Sequence, residues 1–202
     1  MAEALLLIDI QNDFCAGGAL AVPDGDSIVP LVNQLSARFP HVLATQDWHP
    51  PDHASFASQH AGQSAFATVQ APYGEQTLWP DHCVQGTPGA ELHPGLRLER
   101  IELIIRKGFR RSIDSYSAFF ENDRKTPTGL AGYLRERGIQ RLTLAGLAYD
   151  FCVLYSALDA RRLGFDVCVA ESACRAIDLG GSKAAATGAL AIAGVRLISA
   201  AE

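Results

Sequence analysis

Cys152 lies in the stretch LTLAGLAYDFCV at 142–153, a leucine-rich run that closes on Ala145-Gly146 before a tight turn. Beyond it Leu154, Ala157 and Leu158 recur at helical spacing, and Gly164 closes the predicted helix. A thiol on a strand-to-helix turn meets unpaired backbone N–H groups and the positive end of the helix dipole. Both lower its pKa and make the thiolate a usable nucleophile. A buried structural cysteine can occupy the same place, so the surrounding residues decide.

Three other positions could supply partners. Asp9 ends the apolar run ALLLIDI at 4–10, and open α/β sheets place their chemistry at the carboxyl ends of such strands. An aspartate there can equally cap a loop. Lys107 ends the run IELIIRK and would stabilise a thiolate and pair with a carboxylate, unless it is a solvated strand-end lysine. Asp47 and His49 follow the strand HVLATQ; two apart in extended chain, they project to one side and can share a cation. A third ligand would have to come from the stretch after them, which holds His53, His60, His82 and His93, and spacing does not choose among these.

The elements that must position these groups are strands at about 4–10, 41–46, 101–107, 142–146, 165–171 and 195–199. Helical patterns fall at about 26–38, 127–138, 152–164 and 182–194. Thr126-Pro127 reads as a helix start and Gly138 as its stop, while Cys168 reads as a core filler. Strands separated by helices predict a three-layer α/β/α fold with a six-stranded parallel sheet. The 202 residues, 48% hydrophobic, suit a single domain over 1–202 with one elaborated loop at about 47–100. Loops of that length are usually functional. The formal net charge of −5 gives no basic footprint for nucleic acid, and no apolar stretch is long enough to span a membrane. The start lacks the basic region and cleavage site of a signal peptide, and the five cysteines show no C-x-x-C pair. The expectation is a cytoplasmic protein without disulfides.

Taken together these residues resemble the cysteine hydrolases of the isochorismatase-like superfamily, and within it the nicotinamidase (pyrazinamidase) family. The resemblance rests on phrases that run in the family's order along nearly the whole chain. They include Asp9-Ile10-Gln11-Asn12-Asp13-Phe14, Gln46-Asp47-Trp48-His49, Asp52-His53-Ala54-Ser55-Phe56 and Trp79-Pro80-Asp81-His82-Cys83-Val84. Gly86-Thr87-Pro88-Gly89-Ala90, Arg106-Lys107-Gly108, Asp114-Ser115-Tyr116-Ser117 and Asp150-Phe151-Cys152-Val153 follow. Tyr149 departs from the pattern where a small hydroxyl residue is expected, next to the pocket wall.

The resemblance implies a Rossmann-like fold and an amidohydrolase that converts nicotinamide, and also pyrazinamide, to the acid and ammonia in NAD salvage. Cys152 would be the nucleophile, Asp9 the proton carrier and Lys107 the group that holds their charges. The N–H groups of Ala148 and Cys152 would form the oxyanion hole, after a cis Leu147–Ala148 peptide. Asp47, His49 and His82 would hold one divalent transition metal that binds the pyridine nitrogen. Zinc is the first choice, with manganese or iron also suited to mixed oxygen and imidazole ligands. His53 is a further ligand candidate. Phe14, Trp79, Tyr116, Leu147, Ala148 and Phe151 would line the ring pocket, and a homo-oligomer is compatible with the pattern. The alternatives are an amidase for an acyclic or carbamoyl substrate, which would not need the metal trio, and a non-catalytic metal-binding module, which would not need all of Asp9, Lys107 and Cys152.

Overall fold

The computed structural model describes residues 2–200. In chain order its elements are β1 (Ala2–Ile8), α1 (Val29–Ser36), β2 (His41–Asp47), β3 (Thr68–Ala71), β4 (Gly74–Thr77), β5 (Leu103–Lys107), α2 (Leu130–Glu136), β6 (Ile139–Leu147), α3 (Leu154–Arg162), β7 (Asp166–Arg175), α4 (Ser182–Ile192) and β8 (Arg196–Ile198). Six strands form one sheet in the order β5-β2-β1-β6-β7-β8. Every pairing in it is parallel.

The near-continuous apolar run of β1 reflects burial on both sides, as expected of a central parallel strand. Ala4, Leu6 and Ile8 join Leu130 and Leu134 of α2, Ala157 of α3 and Leu190 of α4 in one core. Leu5 and Leu7 point the other way, into a core shared with Val32 and Leu35 of α1. Each fully buried leucine contributes roughly 1.5–3 kcal/mol relative to an exposed one. The second core is completed by Trp79, Cys83, Ala90 and Leu96, so the long insertion covers much of the face that a further helix would cover. Among the described residues no helix is long and apolar enough to cross a membrane.

Three sequence expectations shift. The insertion contains an antiparallel hairpin, β3 with β4, closed at Ala71↔Gly74. Helix α2 begins at Leu130, with Gly129 before it in the left-handed region at φ 100°, and not at Thr126-Pro127. The Asp123 carboxylate accepts the N–H groups of Lys125 and Thr126 and the Thr126 hydroxyl, so this capping pattern folds a turn and leaves Pro127 bridged to Phe120. Strand β7 continues beyond Glu171 to Arg175, past a register shift opposite Leu144 and Gly146. Gly138 and Gly164 do stand at helix ends with φ of 65° and 91°.

Candidate active site

The four strands β5, β2, β1 and β6 are neighbours, and their carboxyl ends carry Lys107, Asp47, Asp9 and the turn to Cys152. Connections run from β1 outward to β2 and β5 and then return to β6 on the other side of β1. Their β1–β6 boundary is the kind of switch point where α/β sheets bind ligands. Gly146 permits the close approach there: at φ 134°, a Cβ would lie 2.2 Å from the Ile8 carbonyl oxygen.

Lys107 is the centre of the charge network. It is fully buried, and its Nζ lies 2.8 Å from Asp9 Oδ2, 3.0 Å from Asp47 Oδ1 and 3.5 Å from Cys152 Sγ. It also donates to the Ser115 carbonyl at 2.9 Å. Burial works against its charge, but the two carboxylates outweigh it and hold its pKa well above the ordinary lysine value. Burial raises the pKa of Asp9, opposed by Lys107. The Thr45 hydroxyl donates to Asp9 Oδ1 at 2.6 Å and accepts the Asp9 backbone N–H at 3.1 Å, which fixes the carboxyl group.

The thiol itself departs from the sequence expectation. Burial pushes Cys152 well above the ordinary thiol pKa, and the attraction of Lys107 is countered by the nearby Asp9 and Asp47 charges. The thiol is therefore held in its neutral form beside the Asp9 carboxyl group. The helix dipole at this turn does not offset desolvation among two carboxylates.

Cys152 sits within a π-turn, Tyr149–Val153, that joins β6 to α3, rather than at the first position of an α-helix. Both Phe151 and Val153 donate their N–H groups to the Ala148 carbonyl, each at 3.1 Å. The Leu147–Ala148 peptide is cis. Asp150 fastens the turn to the chain after β7 by accepting from the N–H groups of Ile177 and Asp178 at 3.0 and 2.8 Å and from the Ser182 hydroxyl. Tyr149 is turned away from the thiol, with its hydroxyl 3.0 Å from Thr187 Oγ1, and lines a groove with Glu171 and Lys183. The departure from the family pattern thus falls outside the Cys152 pocket.

Asp47, His49 and His82 bring one oxygen and two imidazole nitrogens within 4.8 Å of one another, all buried. His49 Nε2 is 3.0 Å and His82 Nε2 3.5 Å from Asp47 Oδ2. Their other ring nitrogens hydrogen-bond the carbonyls of Gly108 and Pro80, at 2.9 and 2.8 Å, so both Nε2 atoms face the same carboxylate. That outer support is typical of metal-ligating histidines. Burial alone would raise Asp47, yet His49 and Lys107 hold it well below the usual carboxylate range, so it stays anionic. The donor set fits a divalent transition ion. A Cβ at Gly108, where φ is 65°, would stand 2.5 Å from the His49 ring.

The remaining histidines separate in space. His53 forms a different cluster with His49 and Asp114, and its Nδ1 lies 2.7 Å from the Ser55 hydroxyl. His60 contacts the Ala54 carbonyl, and His93 lies 3.9 Å from Asp26.

A pocket over the thiol is lined by Phe14, Trp79, Tyr116, Ala148 and Phe151 as well as Asp47 and His82. Trp79 and Phe151 meet edge to face at 4.9 Å, and the Trp79 indole donates to the Tyr116 hydroxyl at 3.1 Å. Leu147 is not among the lining residues; its side chain packs toward Gly25 in the core. Sequence reasoning missed Leu20, Asp114 and Ile177 in the lining. It also missed Gln11, whose amide accepts the Asp47 N–H at 2.7 Å and donates to the Asp47 carbonyl at 2.8 Å. A buried glutamine two residues beyond Asp9 was the available signal.

The chain matches the isochorismatase domain over residues 3–202. It is similar to a curated nicotinamidase of Acinetobacter baylyi, 54% identical over 97% of this chain and 92% of the relative. A solved nicotinamidase/pyrazinamidase structure from Acinetobacter baumanii is 51% identical with a TM-score of 0.98, covering 98% of this chain and 96% of that one. The Pyrococcus horikoshii pyrazinamidase in complex with zinc is 34% identical with a TM-score of 0.80, covering 98% and 99% of the two chains.

Proposed function

The chain belongs to the isochorismatase domain family, and from that premise we propose that it hydrolyses nicotinamide, and with it pyrazinamide, to the acid and ammonia. The observation that carries this reading is Lys107 Nζ reaching Asp9, Asp47 and Cys152 at once, which joins a nucleophile, a base and a metal-ligand cluster in one buried network. Its similarity to nicotinamidases supplies the substrate.

An aromatic primary amide is a poor electrophile, and a covalent intermediate splits the difficult step in two. Asp9 takes the Cys152 proton as Sγ attacks the amide carbon. The N–H groups of Ala148 and Cys152 receive the developing oxyanion, each donor worth about 3–4 kcal/mol in such sites. Asp9 then gives the proton to the departing nitrogen, and ammonia leaves a thioester. Water attacks that thioester while Asp9 accepts its proton, and the acid departs as Cys152 recovers a proton from Asp9. Throughout, Lys107 balances the charge that passes between Asp9 and Cys152. Phe14, Trp79, Tyr116 and Phe151 hold the ring and exclude water.

Asp47, His49 and His82 would hold a divalent ion, which when bound supplies a Lewis acid for the pyridine nitrogen and orients the ring. We take zinc as that ion because this chain is similar to a pyrazinamidase solved with zinc, while the donor set also accommodates manganese or iron. Residues 1–202 form one catalytic domain in this reading, with the insertion contributing His82 and Trp79. The five cysteines are free and buried, and we place the reaction in the cytoplasm, where thiols stay reduced.

The test is ammonia release from nicotinamide by the purified protein beside Cys152→Ala and a chelated sample. We expect release by the wild type, none by the variant, and reduced release after chelation. No release by a folded, metal-loaded protein would end the nicotinamide reading and direct attention to acyclic amides.

A further inference from the structure

The two oxygens of the Asp9 carboxyl group have different neighbours. Oδ1 accepts the Thr45 hydroxyl at 2.6 Å. Oδ2 lies 2.8 Å from Lys107 Nζ and receives no directed hydrogen bond among the described residues. The ammonium protons of Lys107 are matched elsewhere, by Asp47 Oδ1 at 3.0 Å, the Ser115 carbonyl at 2.9 Å and Cys152 Sγ at 3.5 Å. Oδ2 therefore feels the charge of Lys107 while its lone pairs stay open.

Thr45 makes the two oxygens unequal. It is fully buried on β2, and its hydroxyl also accepts the Asp9 backbone N–H at 3.1 Å. A hydroxyl has a single proton to give. With the N–H occupying a lone pair of Oγ1, that proton is directed at Asp9 Oδ1. The same contact stands in for a strand bond. Pairing of β1 with β2 ends at Leu7↔Ala44. Asp9 follows at φ 46°, in the left-handed region that a non-glycine residue keeps only where its surroundings enforce it. Thr45, next after Ala44, thus holds the backbone and the side chain of Asp9 from one oxygen atom.

We propose that Thr45 is a positioning residue that assigns the Asp9 oxygens their roles: its hydroxyl occupies Oδ1 and so reserves Oδ2 to take the proton of Cys152. The inference rests on the proposed reading of Cys152 as nucleophile and Asp9 as base. When Sγ attacks a carbon, its S–H bond breaks, the proton passes to Oδ2, and the sulfur electron pair forms the new bond. Without the hydroxyl the carboxyl group is free to turn about its Cβ–Cγ bond and the Asp9 N–H loses its acceptor. Thr45 is not among the residues lining the pocket over the thiol, so its loss acts on the rate and not on substrate binding.

The test is the rate at which iodoacetamide alkylates Cys152 in the metal-loaded protein, followed by mass spectrometry as iodide leaves and the Sγ–carbon bond forms. Thr45→Val should slow it about tenfold or more, the scale of effect expected from a misplaced reacting group. Thr45→Ser, which keeps the hydroxyl, should restore it to within about threefold of the wild type. In an Asp9→Asn background, Thr45→Val should add nothing further, because the base it positions is gone. With nicotinamide, Thr45→Val should lower kcat by a similar factor and leave KM within about twofold. Alkylation as fast in Thr45→Val as in the wild type, a loss that Thr45→Ser does not restore, a full further loss in the Asp9→Asn background, or a raised KM with unchanged kcat would each overturn the proposal. Should Thr45→Val lose its native circular dichroism, Thr45→Ala decides on the same criteria. Alkylation requires no turnover: a wild type that leaves nicotinamide intact, yet shows the Thr45 dependence, would end the substrate reading and uphold this one.

Discussion

Lys107 has two carboxylates, a thiol and a carbonyl within reach of one ammonium group. Removing it leaves Asp9 buried without its counter-charge and Asp47 with only His49 and His82 beside it. Breaking a buried pair in this way costs about 3–5 kcal/mol. Lys107→Met should therefore lose that much stability in a urea titration and should also lose amide hydrolysis. A variant that remained as stable as the wild type would show that Asp9 does not depend on Lys107 for charge compensation. As the proposed base, Asp9 would set the acid limb of the reaction. Its pKa is raised in the folded protein, chiefly by burial, so the proposed base would be lost by protonation at higher pH than an ordinary aspartate. In the metal-loaded protein, kcat/KM should fall on the acid side with a midpoint above about 3.9. A midpoint at or below that value would contradict Asp9 as the base.

At the scale of elements, the turn after β5 supports the candidate metal ligand His49, and the turn before α2 is fixed by Asp123. The turn after β5 must bring the Gly108 carbonyl to His49 without a side chain between them. Gly108→Ala forces the His49 ring aside, and loss of outer support of this kind lowers metal affinity about 10–100-fold. Competition with a chromogenic chelator would measure it. Unchanged affinity would mean that the ring position does not govern binding. The turn before α2 offers a stability test. Burial acts to raise the Asp123 pKa, but the backbone N–H groups of Thr126 and Lys125 and the Thr126 hydroxyl together outweigh it and hold the carboxyl below its usual value. With a lowered folded pKa the unfolded chain takes up the proton first. The contribution is thus present above about pH 3.9 and is lost as pH falls through the folded value. Asp123→Ala should cost about 1 kcal/mol at pH 7 and progressively less in acid. A cost that does not change with pH would place the effect in packing instead.

Over the whole molecule, the sheet is a rigid shelf whose carboxyl edge carries the chemistry, with cores on both faces fixing the strand ends. Leu6 is 1% exposed between β1 and the α2–α4 layer. Leu6→Ala should cost about 2–5 kcal/mol. For a chain of this size each kcal/mol lowers the Tm by about 2–4 °C, which calorimetry would resolve. The loss should appear in stability well before it appears in KM, because Leu6 touches neither the pocket nor the metal ligands.

How much of this was legible follows from what kind of information each feature needs. Apolar runs ending in Asp9, Asp47, Lys107 and Gly146 determined a parallel sheet and the edge of it that carries chemistry, because two-sided burial leaves its record in consecutive residues. Residues of the right type at those ends determined the nucleophile, base and ligand candidates. Hydrophobic periodicity is silent on hydrogen-bonded irregular chain, so the β3–β4 hairpin and the Asp123 turn before α2 went unread. Spacing could not choose His82 over His53, His60 and His93; the family resemblance named it. Only the tertiary structure brought its Nε2 to Asp47 and seated Tyr149 away from the pocket. It also reversed the expected direction of the Cys152 pKa. Local sequence shows the turn, whereas desolvation and two carboxylates from distant strands act only after the chain has packed.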